Sequence, residues 1–269
     1  MTIPLFHVDA FTECTFAGNP AAVCLLSSWK EDVWLQAVAR EMNLSETAFL
    51  VGQPGSQAQL GNQWGLRWFT PKVEVDLCGH ATLASAHILW QQGQATGDEI
   101  RFSTKCGVLK AARHGNDIEL DFPLKPEVAA EAPPGLLEAL GVSAKYVGKN
   151  QFDYLVEVES ETALRRIAPD FKSLATVPVR GIVVTSRAAD PRFDFVSRFF
   201  APASGVDEDP VTGSAHCCLG DFWSKRLGKS EFTAYQASAR GGVVKVRVTS
   251  DRAFLAGRAV IVAQGELLA

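Results

Sequence analysis

One stretch occurs twice in this chain, and that repetition narrows the possible folds more than any other feature. The first copy runs from Phe69 through Pro71, Val75 and Asp76 to Cys78-Gly79-His80-Ala81-Thr82. The second runs from Phe200 through Pro202, Val206 and Asp207 to Asp209-Pro210-Val211-Thr212-Gly213-Ser214-Ala215. Phe, Pro, Val and Asp recur in register, and after a short insertion Gly79 aligns with Gly213 and Ala81 with Ala215, which puts the counterpart of Cys78 near Pro210 or Val211. Each copy leads into an apolar segment that reads as a helix, about His80 to Gln91 and Ser214 to Trp223. The first turn of a helix presents unpaired N–H groups and a partial positive charge, so two such starts suit a small anion. A duplication kept for packing alone is the other reading of the repeat.

The two helical segments contain one acidic residue, Asp221, and otherwise only His80, His87 and His216 as titratable groups besides cysteine. A helix with no polar face belongs inside a core, here one formed by a curved sheet. Around them, strand and helix patterns alternate. Ala21–Leu26 and Thr47–Val51 read as strands flanking an amphipathic helix over Trp29–Met42, with Val33, Trp34, Ala37 and Val38 at helical spacing. Tyr154–Val158, a helix over Glu161–Ile167 and the strand Gly181–Thr185 repeat that order. The expectation is two similar α+β halves, each a bent sheet around a central helix, with the active cleft between them. Leu124–Pro134, rich in Pro and Ala, reads as the linker.

A length of 269 residues with 47% hydrophobic content supplies a sizeable core. The net charge of −4, with acids and bases interspersed, offers no footprint for nucleic acid or for an anionic membrane. The opening residues have no basic, apolar leader pattern and no later apolar run is long enough to span a bilayer, so a cytoplasmic location is expected. Six cysteines without CxxC spacing argue against a disulfide framework, and Cys14, Cys24 and Cys106 read as core or loop residues. There is no GxGxxG, GxxxxGK[ST] or HExxH motif, which removes support for nicotinamide, nucleotide and catalytic zinc. Cys78-Gly79-His80 lacks a third ligand at any recognisable spacing. Neither a metal nor a cofactor is expected.

Five stretches in order carry a family resemblance: Phe6-His7-Val8-Asp9-Ala10-Phe11-Thr12, Phe16-Ala17-Gly18-Asn19-Pro20-Ala21-Ala22-Val23, Asn43-Leu44-Ser45-Glu46-Thr47-Ala48-Phe49, Cys78-Gly79-His80-Ala81-Thr82 and Glu208 through Ala215. Together they resemble the PhzF-like phenazine-biosynthesis isomerases of the diaminopimelate epimerase superfamily. The resemblance implies two pseudo-symmetric domains, each a barrel-like bent sheet around a central helix, and a homodimer. It also implies that the C-terminal strand returns to the first domain, giving residues 1–122 with 256–269 and residues 123–255. It makes Glu46 the acid/base residue and His80, Asp209 and Ser214 substrate-holding or proton-relay groups, with Gly79 and Gly213 at the anion. Cys78 resembles half of the cysteine pair of diaminopimelate epimerases, or is a small buried residue. The expected activity is cofactor-independent proton transfer between carbons of a small carboxylated metabolite. Racemisation, epimerisation or dehydration of an amino or hydroxy acid, and non-catalytic binding of a small molecule, are the alternatives.

Overall fold

In the computed structural model, which describes residues 2–52 and 62–268, the chain forms two units, Met1–Asp121 with Ala256–Ala269, and Phe122–Leu255. The first unit contains β1 (Thr2–Ala10), β2 (Asn19–Leu26), α1 (Asp32–Met42), β3 (Glu46–Gly52), β4 (Gln63–Phe69), β5 (Glu74–Val75), α2 (Gly79–Gln91), β6 (Glu99–Thr104), β7 (Gly107–His114) and most of β8 (Asp117–Pro123). The pairs β1/β2, β2/β3, β3/β4, β4/β6 and β6/β7 are in turn antiparallel, parallel, antiparallel, parallel and antiparallel. Helix α2 is buried along nearly its whole length, from His80 to Leu89, and packs on β1, β2, β3 and β7. Both faces of β2 and β3 are covered, by α2 on one side and by α1 through Leu35, Val38 and Ala39 on the other. That is why these strands read as unbroken apolar runs without alternation.

The second unit follows with β9 (Val128–Ala129), α3 (Leu136–Leu140), β10 (Tyr146–Lys149), β11 (Asp153–Glu157), α4 (Glu161–Arg165), α5 (Phe171–Leu174), β12 (Gly181–Arg187), β13 (Phe195–Phe200), α6 (Gly213–Leu227), β14 (Glu231–Gln236), β15 (Gly242–Val248) and β16 (Arg252–Gly257). The pairs β10/β11, β11/β12, β12/β13, β13/β14 and β14/β15 repeat the same succession of directions. Helix α6 packs on β14 and β15. A Cβ at Gly220 would lie 2.6 Å from a Val248 methyl, so the helix sits on the sheet at a distance only glycine allows there. The last strand, β17 (Ala259–Leu268), pairs antiparallel with β1 and so belongs to the first unit.

Three local expectations need correction. Helix α1 begins at Asp32, and Val33 is 83% exposed. Its core stripe is Leu35, Val38 and Ala39, a face rotated away from the apolar pair Val33 and Ala37. Helix α4 ends at Arg165, short of Ile167. Leu124–Pro134 is no linker, because Val128–Ala129 pairs with β10 and Tyr146 Oη donates to the buried Glu127 carboxylate. The chain instead crosses between units inside β8 and β16. Among the described residues, no helix is long and apolar enough to cross a membrane.

Candidate active site

Glu46 is the first residue of β3 and lies in register with Ala21 at the head of β2. Helix α1 is stopped just before it by Asn43, whose left-handed backbone (φ 49°) lets its N–H bond the Ala39 carbonyl and turns the chain into the strand. From α2 come Cys78, in the cap position, and His80, in the first turn. His80 Nε2 stands 3.1 Å from Glu46 Oε2, and the Cys78 sulfur is 3.5 Å from His80 Nδ1. The Nε2 contact is one of charge; the atom is buried and has no aligned hydrogen-bond partner among the described residues. Glu46 keeps 18% of its side chain exposed, while His80 is nearly closed off.

Burial opposes protonation of His80, but the Cys78 sulfur and the Glu46 carboxylate outweigh it and hold the imidazole pKa well above its usual value. Burial, reinforced by the Glu46 charge, pushes the Cys78 thiol up to about 11. At neutral pH Cys78 is therefore a protonated thiol. One donor atom from each of Glu46, Cys78 and His80 lies within 4.8 Å of the others, a donor set that zinc accepts. The sequence expectation found no third ligand for the Cys-x-His pair because Glu46 arrives from a strand far upstream.

The start of α6 is built from different chemistry. Its cap position is Thr212, with the extended backbone that Cys78 has at α2. Thr212, and neither Pro210 nor Val211, is thus the structural counterpart of Cys78. Thr212 Oγ1 donates to the Asp209 carboxylate. The fully buried Gln236 accepts from Thr212 N–H at 2.9 Å and donates to the Asp209 carbonyl at 2.8 Å. Of the acidic run Asp207-Glu208-Asp209, Glu208 is taken up by a two-pronged pair with Arg198 at 2.7 and 2.9 Å. Ser214 accepts a bond from Arg180 Nη2 at 3.1 Å. His216, one turn into the helix, bonds the Thr212 carbonyl through Nδ1 at 2.8 Å, and burial pushes its pKa down to about 4. Cys217 and Cys218 are buried further along, their thiols pushed up to about 12 chiefly by burial.

Each unit thus gathers its own share of the expected residues: Glu46, Cys78, Gly79 and His80 in the first, Asp209, Gly213 and Ser214 in the second. Sequence reasoning missed Arg180, Thr212 and Gln236. A readable signal existed for Gln236, which follows Phe232 and Ala234 on the inward-facing positions of β14 and is therefore a polar group aimed at the core.

Two units with one strand succession, each carrying a buried helix, define the diaminopimelate epimerase-like fold. A predicted epimerase of Pseudomonas aeruginosa shares it with a TM-score of 0.74 over 99% of each chain, at 21% identity. A solved structure of a phenazine biosynthesis protein of the PhzF family from Enterococcus faecalis is nearer, with a TM-score of 0.94, 37% identity and full coverage of both chains. An uncharacterized isomerase of Halalkalibacterium halodurans is 53% identical over 100% of this chain and 99% of its own. The model of the phenazine biosynthesis-like proteins, PhzC-PhzF, matches residues 8–265, and the chain belongs to that family.

Proposed function

We propose that this protein is a cofactor-independent isomerase that moves a proton between carbons of a small carboxylated metabolite. The carrying observation is the Glu46 carboxylate set 3.1 Å from a buried His80 Nε2 that has no aligned partner. Glu46 takes a proton from one carbon, the electron pair moves into the neighbouring unsaturated system as the double bond shifts, and Glu46 returns the proton at a second carbon. No net charge is left. His80 meets negative charge that develops on the substrate, while backbone N–H groups at Gly79 and His80 hold its anion. In the same reading Gly213 and Ser214 bind an anionic group and Asp209 orients a polar or amino substituent.

A one-base mechanism fits the spacing better than an opposed pair. Two acid/base groups working on opposite faces of one carbon stand about 6 to 7 Å apart, twice the near-attack distance. The Glu46, Cys78 and His80 atoms lie within 4.8 Å of one another, too close to flank a carbon. The names of relatives, uncharacterized isomerase among them, agree in class.

The test is to incubate the protein with a panel of small unsaturated carboxylic acids in D2O and follow deuterium entering carbon positions by NMR. Exchange that survives EDTA and is lost in Glu46→Gln is the expected result. Undiminished exchange in Glu46→Gln removes Glu46 from the mechanism, and loss on chelation makes the Glu46, Cys78 and His80 cluster a metal site instead.

A further inference from the structure

Arg180 is held from every side. Its Nε donates to Asp153 Oδ1 at 2.9 Å and its Nη2 to the other carboxylate oxygen, and Asp153 is only 2% exposed. The guanidinium lies over the Phe152 ring at 5.1 Å and the Phe199 ring at 5.7 Å. Phe199 packs directly across Gly181, where a Cβ would stand 2.2 Å from the ring, so the residue after Arg180 must be glycine for this arrangement. The Arg180 carbonyl accepts from Ser204 Oγ at 3.1 Å. Guanidinium groups in exposed loops are normally mobile; this one, with 40% of its side chain open to solvent, has its orientation already set.

The hydrogen-bond inventory shows what the arrangement leaves over. Of five N–H donors, Nε and the Nη2 pair are committed to Asp153 and Ser214, whereas the two on Nη1 have no protein partner among the described residues. Because Arg180 donates to Ser214 Oγ, the serine's own proton must point elsewhere, and no described residue accepts it. A single group that used both the Nη1 pair and the serine proton would be an acceptor with at least two oxygens. Asp153 already matches the arginine charge, which suits a singly charged anion rather than a phosphate dianion.

We infer that Arg180 and Ser214 together form a binding site for a carboxylate, one oxygen on the Nη1 N–H groups and the other on the Ser214 hydroxyl, with Asp153 as the residue that positions the arginine. The carboxylate belongs to the substrate under the isomerase reading, and only that identity rests on it.

Acetate and its neutral counterpart acetamide are the probes. In 15N-labelled protein the Arg180 Nε–H signal, assigned by its loss in Arg180→Lys, is followed by NMR while each is added at constant ionic strength. Acetate is expected to move that signal saturably and acetamide to leave it in place. Arg180→Gln alone strands the buried Asp153 carboxylate, so the binding comparison uses Arg180→Gln combined with Asp153→Asn. Acetate affinity, read from backbone amide shifts at Ser214, is expected to fall about tenfold or more in that variant, the worth of a hydrogen bond to a charged group. Equal responses to acetate and acetamide, no saturable shift, or an unchanged affinity in the double variant each overturn the site. Glu46→Gln separates the two proposals: it leaves acetate binding intact while removing isotope exchange.

Discussion

The starts of α2 and α6 occupy the same place in two copies of one strand succession, yet they differ in where charge is kept. At α2 the cap position is a thiol, the first turn carries a buried histidine, and a carboxyl side chain comes from β3, so three titratable groups stand within a few ångströms in a partly buried cluster with one unaligned ring nitrogen. At α6 the cap is a hydroxyl, and Asp209, Thr212 and Gln236 satisfy one another. The lesson is that a duplicated scaffold preserves the backbone device, a helix start at the end of a strand, and leaves side-chain chemistry free to diverge. On the proposed function, one start exchanges a proton and the other binds.

The largest effect expected of that division is on turnover. Glu46→Gln lowers solvent-deuterium exchange by about 10²- to 10⁴-fold, the usual worth of a general acid/base. Asp209→Asn, at the other start, lowers it far less and acts mainly on substrate affinity. Equal losses in the two variants, measured side by side, break the division.

The next effect is on stability against pH, and the two helix histidines have opposite signs. The folded chain protonates His216 only near pH 4, whereas the unfolded chain takes up that proton near 6.5. The contribution is whole above pH 6.5 and is lost as pH falls toward 4, by roughly 3 kcal/mol. His80 is displaced the other way, so its contribution is whole below about pH 6.5 and fades as pH rises through its raised value. Urea unfolding at pH 7 and 4.5 checks the first, and a His216→Gln protein with the same acid sensitivity assigns the loss elsewhere. NMR titration of His80 checks the second, with its pKa expected to drop in Glu46→Gln.

Gln236→Leu ranks third. It strands the buried Thr212 N–H and removes one donor from the Asp209 carbonyl, and should cost about 1 to 3 kcal/mol. Chemical denaturation measures it, and a neutral outcome shows that the α6 start is not held by this residue. The smallest effect concerns Cys78. A buried thiol with its pKa near 11 reacts with iodoacetamide at pH 7.5 well after the exposed Cys14 and Cys106, and mass spectrometry of timed digests should show that order. Early labelling of Cys78 marks it as a reactive group.

Legibility in the sequence followed the physics of each feature. The buried helices could be read because a segment without charges has nowhere to go but a core, and the repeat located both starts. Glu46 stands out as a candidate only through its Ser-Glu-Thr motif, since nothing local distinguishes it from a solvated acid at a turn. The Glu46–His80 contact was not legible at all, because it joins residues from different elements. Arg180 was hidden for the same reason: its partners Asp153, Phe199 and Ser214 come from β11, β13 and α6. The misplaced counterpart of Cys78 shows the limit of aligning an insertion by residue type, since the helix start, and not chemical similarity, decides which residues correspond.

The return of β17 to β1 has a consequence for how the chain comes off the ribosome. The second unit is an unbroken segment, complete once residue 255 has emerged, whereas the first waits for its closing strand until residue 268. Until then β1 has a bare edge open to other chains. The half that carries Glu46 is therefore discontinuous, and its closing pair, β1 with β17, joins residues more than 240 positions apart, the kind of long-range contact that forms late.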